Sequence, residues 1–535
     1  MTVAEPQTAG GAGQAVSTDT RSTGPGRLVL GLALSVLSAV MLFVMCDGHG
    51  NLWPLVTVGF VPMYLAQYRL LPRRWSGVAV GIAFFGYWYS LWLFGGSELG
   101  YPFCALASVV MAVAMGVIGM FERPFSERTD YRWFIFQLPV VWVGLEVIFG
   151  GNPLFGSNFW IAYRMAPVPA LDQAVSYLST PALSLVLMMI NAGIALLIMR
   201  WMDSHWPQFA SVPIPARTLK WSSIIAFGLA LVWIGSSLVI NWQVNSQLGA
   251  TVRVAAAQTG TANTTDGVEL QSGLPQGSPE EKARNVRLQA QLERMTRSAA
   301  GQGAQLVVWP EWILQYDART AQGTWVGRLA KETNTTIVAG YIPESPLWTG
   351  PNMAGVWLPS GVMADAPYYK IHPVIMEGES FSTPQQFPTF RTPFGQLGVI
   401  ICYDHDFPND SVRYETIAGA EIMAVPALDP VDISPLRWQS LTFRAIENRV
   451  PMVKTDVAWD SAIVNANGVL AQRVAISAPQ GAEALLVSDV NLGPRNAPFT
   501  VYGGYTFAFV IVVAFLARYV YQFMLARRSR RPETC

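Results

Sequence analysis

Eight apolar segments, each about 20 residues long, constrain the fold of this chain more than any other feature. An α-helix needs about 20 mainly apolar residues to cross the hydrocarbon core of a bilayer. The composition agrees with such crossings, because 51% of the residues are hydrophobic and 13% are charged. We therefore expect a multi-span α-helical membrane domain with about eight transmembrane helices. The segments begin near Leu28, Leu52, Gly77, Phe103, Phe134, Pro181, Trp221 and Tyr505.

Basic residues flank these segments on one side of the expected membrane. The opposite short loops contain only Arg164. Because Lys and Arg are retained on the cytoplasmic side, we expect cytoplasmic termini and an extracytoplasmic position for the polar stretch between the seventh and eighth segments. The flanking basic residues are Arg21, Arg27, Arg69, Arg73, Arg74, Arg123, Arg128, Arg132, Arg200, Arg217, Lys220, Arg527, Arg528, Arg530 and Arg531.

The polar stretch differs in pattern from the apolar segments. Short β-branched runs alternate there with helical stretches, which is typical of a layered α/β domain. The sequence thus predicts five parts. They are a disordered cytoplasmic tail (1–27), a membrane domain with seven helices (28–243), an α/β domain (251–496), an eighth transmembrane helix (504–525) and a basic cytoplasmic tail (526–535).

Charge and the metal-binding residue types narrow the function classes. The chain has 35 Lys and Arg residues and 35 Asp and Glu residues, so no overall basic excess indicates a nucleic-acid partner. Its four cysteines show no CxxC spacing or disulfide framework, and its four histidines are scattered. We therefore expect no metal, no cofactor and no nucleic acid.

Three short polar motifs follow or flank predicted strands, in the order Glu, Lys, Cys. The carboxyl ends of strands are where sites collect in layered α/β proteins, so the three motifs are expected to meet. A carboxylate can take the proton of a thiol, and an ammonium group favours the thiolate and then the oxyanion. The motifs are Trp309-Pro310-Glu311, Tyr369-Lys370-Ile371-His372 and Ile401-Cys402-Tyr403-Asp404.

These motifs and their order resemble the carbon-nitrogen hydrolase (nitrilase) superfamily. The run from Arg444 to Arg449 and the turn at Asn467-Gly468 are also typical of it. With the membrane segments included, the chain from about Leu28 to Leu525 resembles the apolipoprotein N-acyltransferases, which complete bacterial lipoprotein maturation. The resemblance implies a nitrilase-like αββα sandwich outside the bacterial cytoplasmic (inner) membrane.

The resemblance also implies a ping-pong mechanism and its participants. Cys402 would be the nucleophile, Glu311 the general base and Lys370 the group that stabilises the oxyanion. The acyl donor would be a phospholipid of the bilayer. The acceptor would be the α-amine of a diacylglyceryl-modified cysteine at the N-terminus of an apolipoprotein. We expect a monomer, since nothing in the sequence demands a partner subunit.

Supporting residues and two departures follow from the same resemblance. Glu379 matches a supporting glutamate, although Glu377 competes for that role, and Tyr403 is expected to support the site. Asp404 stands where the acyltransferases usually have Glu. Two segments that neighbour the site in the family differ here and leave the acceptor open: Pro426-Ala427-Leu428-Asp429-Pro430 in place of Asn-Asp-x-Trp, and Thr455-Asp456-Val457-Ala458 in place of Thr-Asn-x-Gly.

Other functions remain open at this point. The chain could be a membrane-tethered nitrilase-type amidase, an N-acyltransferase with a different amine acceptor, or a non-catalytic scaffold, which the intact triad disfavours. Glu146 lies within the fifth segment and is either functional or a hydrogen-bonded interhelical residue. We expect structural or supporting roles for His372 and His405.

Overall fold

A computed structural model of the protein describes most of the chain in atomic detail. Most of the predicted N-terminal tail, most of the C-terminal tail, Glu377, Pro430 and Ala458 lie outside the described residues. The structure describes residues 24–93, 100–260, 278–343, 350–364, 366–375, 379, 386–429, 434–457, 460–474 and 481–528.

The first half of the chain is helical. Of the described helices, six are long and apolar enough to cross a membrane, and Phe134–Gly150 is a shorter apolar helix. The structure therefore has the multi-span helical part that the sequence predicts. The helices are α1 (Pro25–Val44), α2 (Val61–Leu65), α3 (Ser76–Leu93), α4 (Tyr101–Arg128), α5 (Phe134–Gly150), α6 (Val175–Leu178), α7 (Thr180–His205) and α8 (Ala216–Asn245).

The second apolar segment differs from the continuous helix expected from Leu52. It consists of a 3₁₀ turn at Trp53–Thr57, the short helix α2 and a π turn at Ala66–Leu70. A proline stands in the first turn of the first two pieces, where its missing N–H is tolerated. Asn191 of α7 satisfies the backbone at the break: it accepts from Phe60 N at 3.0 Å and donates to Val56 O at 2.8 Å. Broken backbone at membrane depth needs such protein partners.

Glycines allow α3 and α4 to approach closely. A Cβ added at Gly77 would lie 2.2 Å from the carbonyl oxygen of Gly116, and one added at Gly81 would lie 3.2 Å from that of Ala112. Small residues at such crossings are typical of membrane helices, because they let two backbones touch.

The Gly77→Ala variant is expected to be destabilised by about 1–3 kcal/mol, because its methyl group has no room against the α4 backbone. Gly228→Ala in α8 is the matched control. A Cβ there meets nothing within 4 Å, so the alanine should be neutral or stabilising by about 0.5–1 kcal/mol. Thermal unfolding of both variants in detergent measures the difference. A Gly77→Ala protein as stable as wild type would contradict the packing described here.

The second half of the chain is an α/β domain followed by a last apolar helix. Its elements are β1 (Thr251–Gln258), α9 (Pro279–Gly301), β2 (Leu306–Val308), α10 (Thr324–Thr333), β3 (Thr336–Tyr341), β4 (Met353–Trp357), β5 (Tyr368–Tyr369), β6 (Phe390–Thr392), β7 (Gly395–Val399), α11 (Ser411–Ile417), β8 (Ile422–Pro426), α12 (Ser434–Asn448), β9 (Met452–Thr455), β10 (Ala462–Val464), β11 (Leu470–Arg473) and β12 (Ala484–Asn491). Two helices follow: α13 (Pro498–Tyr502) and α14 (Tyr505–Arg528).

Two six-stranded sheets form the centre of this domain. One has the strand order β12-β1-β2-β3-β4-β5 and the other β11-β10-β9-β8-β7-β6. The strands β1, β2 and β3 are parallel, as are β7, β8 and β9. The sheets contact face to face, since Thr455 Oγ1 donates to Val308 O at 3.0 Å across the interface. The helices α9 and α10 pack on the first sheet, and α11 and α12 pack on the second. This arrangement is the expected αββα sandwich.

Helix α12 joins the sandwich to the membrane helices. Glu447, in its last turn, accepts from the backbone N–H of Thr180 at 3.1 Å and from its hydroxyl at 2.6 Å. Arg449 donates to Ser176 Oγ at 2.7 Å. Near the start of the helix, Trp438 Nε1 donates to Gly48 O at 3.0 Å. These bonds hold the domain against the loops at one end of the membrane helices.

Candidate active site

The three sequence motifs lie beyond the ends of strands in the sandwich. Glu311 follows β2, Lys370 follows β5 directly and Cys402 follows β7. All three side chains are buried. Lys370 Nζ lies 3.0 Å from Glu311 Oε1, and both charges act on the Cys402 thiol. The structure thus brings together the residues that the sequence places far apart.

Glu311 and Lys370 belong to a hydrogen-bonded cluster. Lys370 Nζ also pairs with Glu379 Oε2 at 2.8 Å. Asn352 Nδ2 donates to Glu311 Oε1 at 2.6 Å and to Glu379 Oε1 at 3.0 Å. The other oxygen of Glu311 accepts from Leu428 N at 2.9 Å. The Glu311 carboxylate thus accepts from three donors, Asn352, Lys370 and the Leu428 backbone, which fix its orientation.

Burial and charge set the protonation of this cluster. Burial raises the pKa of Glu311 and the Glu379 charge adds to that, against the opposing effect of Lys370. A carboxylate with a raised pKa is a better base near neutral pH. Burial alone would lower the pKa of Lys370, but Glu311 and Glu379 outweigh it and raise that pKa well above its usual value. Lys370 therefore stays charged.

Cys402 begins the 3₁₀ turn Cys402–Asp406 in a strained conformation. Its φ of 44° lies in the left-handed region, which non-glycine residues rarely adopt. Its carbonyl oxygen lies 2.5 Å from Nδ1 of the buried His405, which helps to fix the turn. Burial raises the pKa of the Cys402 thiol well above its usual value, and the Asp429 and Glu311 charges add to this. The resting thiol is therefore neutral and needs a base.

Asp404 ties the lysine segment to the cysteine segment. Its carboxylate accepts from Tyr368 OH at 2.8 Å, from His372 N at 2.9 Å and from Ile401 N at 3.0 Å. Asp404 thus holds the two segments together. Tyr403, the other predicted supporting residue here, donates its hydroxyl to the carbonyl of Pro153 at 3.2 Å and so contacts a loop of the membrane half.

His372 forms an ion pair with two carboxylates. Its Nδ1 lies 3.0 Å from Asp404 Oδ1 and its Nε2 lies 3.0 Å from Asp410 Oδ2. Burial would lower the pKa of His372, but these hydrogen bonds outweigh it and raise the pKa from 6.5 to about 9. The ring is therefore charged at neutral pH and links Asp404 to Asp410.

This pair makes a pH-dependent contribution to stability. Because the folded pKa exceeds the unfolded value, the contribution is fully present below about pH 6.5 and is lost as the pH rises through about 9. We expect His372→Gln to be less stable than wild type by on the order of 3 kcal/mol at pH 6, with the gap closing by pH 9.5. Denaturant unfolding of both proteins across this range measures it. A gap independent of pH would show that His372 is uncharged in the fold.

Sequence reasoning missed Asn352 and a charged group that contacts the thiol. Asp429 Oδ1 lies 3.3 Å from Cys402 Sγ. Asp429 is itself paired with Arg437 Nε at 3.0 Å and with Lys454 Nζ at 2.7 Å. The signal that could have found Asp429 was the first departure from the family pattern, in which it lies. Asn352 stands in no recognisable motif.

Glu146 has an identifiable partner set in the membrane half. Its Oε1 accepts from Trp142 Nε1 at 2.9 Å and from Ile161 N at 2.7 Å, so it holds the 3₁₀ turn Ile161–Met165 onto α5. These contacts favour the hydrogen-bonded structural interpretation over a functional one. Among the described residues, no group of three or more His, Cys, Asp and Glu side chains is placed to hold a metal ion.

Comparisons with known proteins match both halves of the chain. The carbon-nitrogen hydrolase family model matches residues 268–495, and the model of the apolipoprotein N-acyltransferase N-terminal domain matches residues 33–193. A nitrilase of Pyrococcus abyssi is 31% identical over 185 residues, which cover 31% of this chain and 67% of that protein. A solved amidase from Nesterenkonia sp. has a TM-score of 0.34 at 21% identity, covering 45% of this chain and 90% of that one. Together the fold and the family matches define a membrane-bound carbon-nitrogen hydrolase.

One relative extends over nearly the whole chain. The apolipoprotein N-acyltransferase of Geobacter metallireducens is 24% identical over 520 residues, covering 88% of this chain and 91% of that protein. The omega-amidase of Homo sapiens, at 27% identity, covers 37% of this chain and 80% of its own length. The chain belongs to the apolipoprotein N-acyltransferase family of the carbon-nitrogen hydrolase superfamily. It is thus an acyltransferase and a multi-pass inner-membrane protein, and these predictions are confirmed.

Proposed function

We propose that this enzyme transfers a fatty acyl chain from a phospholipid, through a thioester on Cys402, to the α-amine of the N-terminal diacylglyceryl-cysteine of an apolipoprotein. The observation that carries this proposal is the buried Glu311–Lys370 pair acting on Cys402 in a domain bonded to membrane helices. The family of the chain supports the same reaction.

In the first half-reaction Glu311 takes the proton of the Cys402 thiol. The sulfur attacks the carbonyl carbon of the acyl ester, and a tetrahedral oxyanion forms. The Lys370 ammonium and backbone amides stabilise that negative charge. The C–O bond then breaks, Glu311 returns its proton to the departing oxygen, and a lysophospholipid leaves the acyl-enzyme.

In the second half-reaction the acceptor amine replaces the lipid. An α-amine has a reference pKa near 8, so a neutral, nucleophilic fraction exists at pH 7. Its nitrogen attacks the thioester carbon, the C–S bond breaks, and Glu311 passes the amine proton to the departing sulfur. The products are an amide and free Cys402.

The surface beside the site supports a substrate that lies in the bilayer. Exposed apolar side chains lie on the helices α6 and α13, which contact each other, and on the loop after α5, and exposed tyrosines of this kind anchor proteins at membrane interfaces. Tyr403, next to the nucleophile, bonds to the loop that carries one of them. We place this surface and the catalytic domain on the extracytoplasmic side, because basic residues flank the opposite ends of the helices. The exposed residues are Leu154, Tyr177, Leu178, Val501 and Tyr502.

The test is mass spectrometry of lipoprotein N-termini from cells lacking the gene. Wild-type enzyme should restore the N-acyl group, and the Cys402→Ala variant should not. Unchanged N-acylation in the deletion strain, with no second such enzyme present, would overturn the proposal.

Labelling separates the remaining alternatives. With labelled phospholipid, wild type should accumulate a hydroxylamine-sensitive acyl label that Cys402→Ala lacks. An amidase would form no such label from phospholipid. An enzyme that forms the label without acylating lipoproteins would have a different amine acceptor.

A further inference from the structure

The two segments that depart from the family pattern meet in one buried charged group beside the nucleophile. Asp429 comes from the first segment, and its backbone N–H donates to Asp456 of the second at 3.2 Å. Lys454, directly before the second segment, pairs with both carboxylates. Asp429, Arg437 and Lys454 are each at most 5% exposed. Oδ1 of the Asp429 carboxylate accepts a hydrogen bond from Cys402 Sγ at 3.3 Å. The same carboxylate pairs with Arg437 and with Lys454. The departures therefore change what surrounds the reacting atom.

Asp429 is built to remain an anion. Burial alone would raise its pKa, but Arg437 and Lys454 outweigh burial and hold that pKa well below its usual value. The cations are in turn held in place. Arg437 also bonds to Asp406 and to Asn158 Oδ1, the latter at 2.6 Å, and Lys454 pairs with Asp456 at 3.0 Å. Protonating Asp429 would break two buried ion pairs, so it accepts a hydrogen bond without keeping the proton.

We propose that Asp429 is a second catalytic carboxylate, which holds the Cys402 thiol by a hydrogen bond in the free enzyme and binds the α-amine of the acceptor in the acyl-enzyme. The second role rests on the proposed function. Acylation removes the proton from sulfur, so Asp429 Oδ1 loses that donor and can accept another. The incoming nitrogen bonds to the carbon attached to Sγ, which brings its N–H groups beside Oδ1.

Asp429 and Glu311 then have different roles in the second half-reaction. Asp429 binds the amine and stays ionised, while Glu311, whose surroundings raise its pKa, takes the proton. The acceptor reaches Asp429 as an ammonium ion and loses one proton to solvent. The neutral amine then forms the C–N bond, the C–S bond breaks, and a second amine proton passes through Glu311 to sulfur. A fixed anion attracts an ammonium group more strongly than it attracts neutral water. Asp429 thus favours transfer to an amine over hydrolysis of the thioester.

The first experiment requires no lipid. Iodoacetamide alkylates Cys402 only as the thiolate, and mass spectrometry of the Cys402 peptide measures the rate against pH. Asp429→Asn keeps the shape of the side chain and removes its charge. The pH at which the alkylation rate of Cys402 reaches half its maximum should therefore fall by about 1 pH unit or more. An unchanged midpoint would show that Asp429 is only structural and does not influence the Cys402 thiol. A higher midpoint would show that Asp429 is the base. Either result overturns the proposal.

The second experiment separates the half-reactions in full-length enzyme. In Asp429→Asn, transfer from the acyl-enzyme to a diacylglyceryl-cysteinyl peptide should slow about tenfold or more relative both to acyl-enzyme formation from labelled phospholipid and to discharge to water, the loss of one hydrogen bond to a charge. The matched control is Asp460→Asn, which removes another buried carboxylate, one paired with Arg473.

Parallel losses in both half-reactions, or an unchanged rate of transfer to the amine, would overturn the amine-binding role. If wild type itself forms no acyl-enzyme, the proposed function fails and the amine-binding role fails with it. The alkylation profile still decides whether Asp429 holds the thiol.

Discussion

Replacing Glu311 by glutamine is expected to slow acyl-enzyme formation about 10³-fold, within the range for removal of a general base. Two causes act together. The amide cannot take the thiol proton, and its NH₂ group must face a donor, because Glu311 accepts from Asn352, Lys370 and the Leu428 backbone. A buried donor facing a donor is costly. A rise in pH should not restore the rate, since a thiolate formed without Glu311 still has no group to protonate the leaving oxygen.

Glu379→Gln is the matched control for this variant. Glu379 contacts the same Lys370 and Asn352 side chains, while the leading charges on the Cys402 thiol are those of Asp429, Glu311, Lys370 and Arg437. We therefore expect a loss of about tenfold or less. Single-turnover labelling with a phospholipid measures both variants. A Glu311→Gln enzyme that acylates within tenfold of wild type would give the general-base role to another group.

Some of this architecture could be predicted because it depends on local pattern. The segments around α3, α7 and α14 are apolar over a membrane thickness, and their helices formed as expected. The motifs carrying Glu311, Lys370 and Cys402 each follow a strand, so the sequence could place them at strand ends. Hydrophobic periodicity and motif position need no knowledge of tertiary contacts, whereas the packing of one sheet on the other is what brings Cys402 to the other two.

The features that could not be predicted depend on contacts between distant residues. The chain from Trp53 to Leu70 is mainly apolar and has the length of a spanning helix, yet it breaks where Asn191 can bond to its free backbone groups. Asp429 gave no catalytic signal, because its role arises from Cys402, Arg437 and Lys454, which lie on other elements. A departure from a family pattern marks where to look but does not show which charges meet there.

Replacing Lys370 by methionine is expected to affect rate and stability together. The ammonium lies 3.0 Å from Glu311 and 2.8 Å from Glu379, with all three side chains buried. Its loss should slow acyl-enzyme formation about 10²–10³-fold by removing oxyanion stabilisation. It should also destabilise the fold by about 3–5 kcal/mol, because two buried carboxylates lose their shared cation.

The pH dependence of this variant identifies the cause of its instability. Without Lys370 the two carboxylates can share one proton, so the variant gains stability at low pH and loses it as the pH rises through the raised pKa of the pair. The double variant Lys370→Met/Glu379→Gln removes one of the two charges. It should recover part of the stability near neutral pH while the rate stays low, because no cation faces the oxyanion. Unfolding midpoints at pH 5 and 8, with single-turnover rates, separate the two effects. A double variant that recovers the rate would show that Lys370 acts by neutralising Glu379 rather than by stabilising the transition state.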